Sequence, residues 1–351
     1  MRRFRWHAAV LLLVITLIGG FFALSAPDPP PAPRPAVDSP RVLVAMGDST
    51  ISGEAAGDYE PGTDGEDGNW CHRSANASIH KTAVRGVEET INLACSGAPS
   101  AQVGLGDTEQ YTESSQARRL REIVRTKRVV AVQVAVGAND EPGFSHVLDG
   151  CVQAWLDQGR PGCGAVEKDR WPGKVEAMVP KVVRALNDIR SVLREAGYQP
   201  EDYELVLQSY TAPVAPGMRE ELRNLNGCPV RIEDLQWIRE SALPQINDGL
   251  HRAARETNAR FLDLSRAGTG HEACANADPK QEWFSRLAVR WADLRADDRA
   301  SHALQESFHP NAAGHAQFGG CLGEFLATNI RAAVCLAGPD GALHPAASVG
   351  P

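Results

Sequence analysis

Four short segments carry the residue types that acyl chemistry needs. Gly47-Asp48-Ser49-Thr50 offers a hydroxyl, Ala94-Cys95-Ser96-Gly97-Ala98 a glycine amide, Gly137-Ala138-Asn139-Asp140 a side-chain amide, and Glu306-Ser307-Phe308-His309-Pro310-Asn311 an imidazole. A serine hydroxyl is a weak nucleophile until a neighbouring base takes its proton, and imidazole is suited to that near neutral pH. Attack on a carbonyl places negative charge on its oxygen, so fixed N–H donors should face that atom. The backbone N–H groups of Ser49 and Gly97 and the side-chain amide of Asn139 are the candidates for this oxyanion hole. His309 needs an acceptor on its other ring nitrogen to hold tautomer and orientation. Glu306, three residues earlier, is the nearest carboxylate able to reach it. Asp48 and Asp140 read as loop braces.

Something must bring these segments together. Arg41–Met46 is a short apolar run ending at a glycine, as a buried strand should be. Val87–Leu93, Val129–Val136, Glu204–Ser209 and Arg260–Leu264 read as four more strands, Val129–Val136 being β-branched and almost wholly apolar. Helical apolar spacing marks Gln116–Thr126, Trp171–Ala196, Leu235–Thr257 and Asn311–Asn329, and Asn69–Val84 also reads as a helix. Strands alternating with helices imply a parallel α/β sheet covered on both faces. Ligands of such sheets bind beyond the carboxyl ends of the strands, where the first three segments fall.

The N-terminus has a different character. Arg2, Arg3 and Arg5 precede nineteen uncharged residues, Ala8–Ala26, the pattern of a signal segment that is either cleaved or kept as an anchor. Residues 27–40 open with six prolines in nine positions and form a stiff spacer. The expected organisation is signal peptide or anchor over 1–26, linker over 27–40, one catalytic domain over 41–336 and a disordered tail over 337–351. All eight cysteines follow the linker, and no CxxC occurs among them. In an oxidising compartment they should form four disulfides, with sequence neighbours as the expected pairs: Cys71–Cys95, Cys151–Cys163, Cys228–Cys274 and Cys321–Cys335.

Composition excludes several classes. The formal charge is −8 and no basic stripe is present, which removes nucleic acid as a partner. His72, His80, His146, His251, His302 and His315 lack an evident partner set and read as solvated or structural. The acidic run Asp58–Asp67 fails the EF-hand spacing, and His271-Glu272 lacks the second histidine of HExxH, so no metal is expected. Neither GxSxG nor GxGxxG is present, which removes the α/β-hydrolase and dinucleotide readings.

Taken in order, the four segments resemble the blocks of the SGNH (GDSL-type) hydrolases, in particular the secreted actinobacterial lipase/esterase branch. Gly47-Asp48-Ser49 resembles the first block, Gly97 the second, Gly137-x-Asn139-Asp140 the third and His309 the fifth. Ser52-Gly-Glu-Ala-Ala-Gly-Asp-Tyr59, Asn69-x-Cys71-His-Arg-Ser74 and Ser307-Phe-His-Pro-Asn-x-x-Gly314-His strengthen the likeness, which spans 47–315. The resemblance implies a three-layer α/β/α sandwich with a flavodoxin-like parallel sheet of about five strands. It also implies no cofactor and ester hydrolysis through an acyl-serine, with Ser49 and His309 in the central roles. The family usually has Asp where this chain has Glu306, and some relatives in this branch use a main-chain carbonyl instead, so the resemblance leaves Glu306 or a backbone carbonyl to orient His309. The expectation is thus an exported, monomeric serine esterase or lipase acting on small-molecule or lipid esters, secreted or held at the outer membrane face. A carbohydrate or cell-wall O-deacetylase on the same scaffold and a non-catalytic envelope-binding protein are the alternatives.

Overall fold

Strand β1 (Arg41–Gly47) is the spine of the molecule. Its Val42, Val44 and Met46 face one buried layer and Leu43 and Ala45 the other, none more than 1% exposed. A strand apolar on both faces must be covered on both. The computed structural model describes residues 35–348 except residue 298, so the segment 1–26 and most of the 27–40 spacer lie outside the described residues.

The sheet runs β2 (Glu89–Asn92), β1, β3 (Arg128–Ala135), β4 (Glu204–Gln208), β5 (Arg260–Asp263), β6 (Ala332–Ala337), β7 (Leu343–Ala347). The first six are parallel, and the 2-1-3-4-5 order is that of flavodoxin-like sheets, with its reversal between β1 and β3. One face packs on helices α2 (Gln116–Ile123), α4 (Trp171–Glu195) and α5 (Leu243–Glu256). The other packs on Ala77, Ile79 and the C-terminal end of α6 (Ala312–Leu326). A further helix, α3 (Phe144–Leu156), stands over the carboxyl ends of the strands.

Three expectations need correction. The sheet has seven strands rather than about five, because β6 and β7 extend it. Residues 337–348 are not a disordered tail: Gly341 turns the chain at φ 79°, β7 pairs antiparallel with β6, and Leu343 is 2% exposed. Small residues and Pro345 hid this hairpin. Asn69–Val84 forms no α-helix beyond a short 3-10 turn at Ser78–Lys81. His72 is left-handed (φ 45°), and Cys71 is tied to Cys95, so long-range bonds override the local helical spacing. The remaining cysteines are joined as Cys151–Cys163, Cys228–Cys274 and Cys321–Cys335.

Candidate active site

β1 ends in a turn that only glycine allows. Gly47 has φ 144°, and a Cβ there would lie 2.0 Å from the Ala135 carbonyl oxygen of β3. Gln116 holds the turn from the α2 side: its Oε1 accepts from the Gly47 N–H (2.7 Å) and its Nε2 donates to the Gly47 carbonyl (2.8 Å). Asp48 then caps the single turn α1 (Ser49–Ser52) by accepting from the Thr50 N–H at 3.0 Å and its hydroxyl at 2.8 Å. This places Ser49 at the cavity wall, 7% exposed.

The Asp48 carboxylate also accepts from the Tyr210 hydroxyl at 2.5 Å, and that hydroxyl accepts from the Ala138 N–H at 3.2 Å. Tyr210 thereby fastens the loop after β1 to the loop after β3. Its own backbone is bracketed by the side-chain amide of Asn247 on α5. Burial raises the Asp48 pKa against the opposing bonds from Tyr210 and Thr50. Asp140, at the next strand end, accepts from both the N–H (3.1 Å) and the hydroxyl (2.5 Å) of Ser100. Both aspartates therefore brace loops.

His309 meets Ser49 across the cavity, its Nε2 2.8 Å from the Ser49 hydroxyl. Its Nδ1 lies 3.0 Å from the carbonyl oxygen of Ser307. A carbonyl can only accept, so Nδ1 carries the proton and Nε2 is left with the lone pair that the hydroxyl needs. Glu306 is elsewhere. Its Oε1 accepts from the Tyr59 hydroxyl at 2.7 Å, and the same hydroxyl accepts from the Ala55 N–H. The expectation that Glu306 orients His309 is corrected: the chain reverses at Phe308 (φ 61°), which presents a backbone oxygen to the ring while Glu306 joins Tyr59.

Gly97 (φ 76°) and Asn139 line the same cavity as Ser49 and His309. Among the described residues, the N–H groups of Ser49 and Gly97 donate to nothing in the fold, and the Asn139 NH2 group makes only a long contact (3.4 Å) to the Ala98 carbonyl while its oxygen accepts from the Ser145 hydroxyl. Three N–H donors are thus uncommitted or nearly so. The cavity measures about 750 Å³. Phe144, Leu148, Val152 and Leu156, spaced four apart on α3, form an apolar stripe along one wall. α3 was not legible as a helix, because cavity-facing apolar residues blur the usual one-face pattern.

A buried polar cluster adjoins the site. Glu54 and His72 are both fully buried and meet at 2.6 Å between Oε1 and Nδ1, and His72 Nε2 lies 3.1 Å from Asp64. Burial disfavours both charges, yet each partner outweighs it: His72 holds Glu54 below the usual glutamate range, and Glu54 and Asp64 raise His72. His72 therefore has the partners its sequence context concealed. Glu54, His72 and Glu306 bring ligand-type atoms within 4.8 Å of one another, but these groups are engaged with each other and with Tyr59. Cys151 and Cys163, which approach Asp234, are committed to a disulfide.

Residues 45–317 match the GDSL-like Lipase/Acylhydrolase family. Lipase 2 of Streptomyces coelicolor is 25% identical over 315 residues, covering 88% of this chain and 92% of that protein. Two solved structures share the fold, each covering 78% of this chain and 94% of its own. An extracellular lipase from Streptomyces rimosus has TM-score 0.54 at 20% identity, and phospholipase A1 from Streptomyces albidoflavus NA297 has 0.52 at 23%. With the family match running through the strand ends just described, the chain belongs to the GDSL-like lipase/acylhydrolase family, hydrolases of ester bonds.

Proposed function

We propose that the protein is an exported serine esterase or lipase that works through an acyl-serine intermediate. The observation that carries this reading is the 2.8 Å contact between Ser49 Oγ and His309 Nε2 inside a cavity of about 750 Å³. Ser49 Oγ attacks the ester carbonyl carbon while its proton passes to Nε2. The charge on the former carbonyl oxygen is met by the N–H groups of Ser49 and Gly97 and the Asn139 amide. One such donor is worth about 10²–10³ in rate. His309 returns the proton to the departing alcohol, leaving the acyl group on Ser49. Water then repeats the sequence and frees the acid. The Ser307 carbonyl supplies what a carboxylate supplies elsewhere, holding the imidazolium in place by accepting from Nδ1–H.

The cavity favours acyl esters over acetylated sugars. Its volume of about 750 Å³ admits either, but the hydroxyls of a sugar would lose their water against an apolar wall without gaining partners. The apolar stripe on α3 supports the same choice. Export is supported by the basic and then uncharged N-terminus, by four disulfides, and by the extracellular lipase of Streptomyces rimosus among the relatives.

Hydrolysis of p-nitrophenyl esters from C2 to C16 by the wild type and Ser49→Ala tests the reading. Activity in the wild type and a loss of about 10³-fold or more in the variant are expected. Equal inactivity of both on these esters and on acetylated glycans would leave the envelope-binding alternative. Activity confined to acetylated sugars would make the protein a deacetylase.

A further inference from the structure

A carboxylate on a side chain can adjust to the histidine it serves; a main-chain carbonyl cannot. The aim of the Ser307 oxygen is set by the backbone of residues 306–308, where Phe308 is left-handed at φ 61°. A non-glycine residue in that region holds its shape only when its surroundings fix it. On one side they do: Phe308 N–H donates to Ser285, His309 accepts from Ser285 N–H, and the Ser307 hydroxyl is bonded to both backbone groups of Ala288.

On the other side the turn is held through Gln305. Its Nε2 donates to Glu54 Oε2 at 2.9 Å and to the Trp70 carbonyl at 3.1 Å. Glu54 lies just beyond α1 and Trp70 just before Cys71, so both acceptors belong to the nucleophile's side of the cavity. Glu54 is 0% exposed, and a buried ionised acceptor grips an amide more strongly than a neutral one does. Its charge is sustained by His72 at 2.6 Å, and His72 is in turn stacked on Tyr59 (centroids 4.4 Å apart) and faced by Asp64, which pairs with Arg290.

We propose that Glu54 is a positioning residue for His309, acting through Gln305 on the turn that aims the Ser307 carbonyl. The carboxylate absent from the histidine is thus present one step removed, fixing the carbonyl that replaced it. This inference rests on the reading of Ser49 and His309 as nucleophile and base.

The test uses Glu54→Ala, Gln305→Ala and the double variant, with p-nitrophenyl butyrate as substrate and thermal unfolding as the check on folding. Displacing a catalytic group by about 1 Å costs on the order of 100-fold. Each single variant should lower kcat by about 10- to 100-fold with KM within about twofold. The double should fall no more than about threefold below the weaker single, because both act along one path. A kcat within twofold of wild type in folded Gln305→Ala, a loss expressed in KM, or losses that multiply in the double variant would each overturn the proposal. If Glu54→Ala does not fold, Gln305→Ala alone decides by the same limits, since it leaves the Glu54–His72 pair intact. A wild type inactive on every ester would remove the hydrolase reading and this proposal with it. An active wild type with unaffected variants would remove the proposal only.

Discussion

Replacing Glu306 by glutamine separates two arrangements of the site that differ by orders of magnitude. If the Glu306 carboxylate accepted from His309 Nδ1, an amide in its place would favour the wrong tautomer and cost about 10⁴ in kcat, or about 5.5 kcal/mol. In the structure Nδ1 instead faces the Ser307 carbonyl at 3.0 Å, and Glu306 accepts from Tyr59 at 2.7 Å. Glutamine keeps an oxygen for Tyr59 and leaves the Ser307 peptide untouched. What is lost is the charge assistance of one partly buried hydrogen bond, about 1 kcal/mol of stability. Glu306→Gln should therefore retain at least a third of wild-type kcat on p-nitrophenyl butyrate, with KM unchanged and the thermal midpoint lowered by a few degrees. A folded variant that has lost 100-fold or more in kcat would refute the carbonyl arrangement and return Glu306 to the histidine.

Three further outcomes follow from the same geometry. Val152→Trp places a large ring across the apolar stripe of α3, so it should shift the best p-nitrophenyl ester to a shorter chain while C2 and C4 rates stay within about twofold; an unchanged profile would remove α3 from the acyl path. His315 is fully buried, and burial together with the charges of His309 and Lys81 lowers its pKa to about 3. As pH falls below about 6.5 the unfolded chain takes up a proton that the folded chain refuses, which costs about 1.4 kcal/mol of stability per pH unit down to about 3. His315→Gln should flatten the thermal midpoint between pH 6.5 and 4, and a curve parallel to wild type would contradict it. Removing Cys71–Cys95 by a double alanine change releases a closed loop with a sequence separation of 24, about 3.5 kcal/mol of chain entropy, and should lower both the thermal midpoint and kcat. A variant of wild-type kcat would show that the bond only stabilises.

Much of the site could be read in the sequence because it sits at strand ends. Gly47, Ser49 and Asn139 follow apolar runs that read as buried strands, Gly97 follows an edge strand interspersed with charge, and sheet geometry does the rest of the assembly. His309 was legible beside Pro310 and a helix start. The partner of His309 was harder, since a backbone carbonyl has no letter of its own, and Glu306 at a plausible spacing drew attention from the turn at Phe308. Tyr210, Gln116 and Gln305 left no signal because each is defined by what it meets more than 60 residues away, and Glu54 stood in a recognisable run that gave no hint of its partners. The missed β6 and β7 are short and rich in alanine, so they resemble loop until the edge of β5 is there to receive them.

The terminal hairpin bears on how the protein survives at high concentration. A parallel sheet that stopped at β6 would offer six residues of open backbone, Ala332–Ala337, to any neighbouring molecule. β7 occupies that edge, and its Pro345 has no N–H to extend the ladder further. The opposite edge, β2, is only four residues long and carries Glu89, paired with Lys127. Cutting the chain after residue 336, where composition alone would end the domain, would thus uncover an apolar edge strand whose open backbone is free to pair with a second copy of the chain.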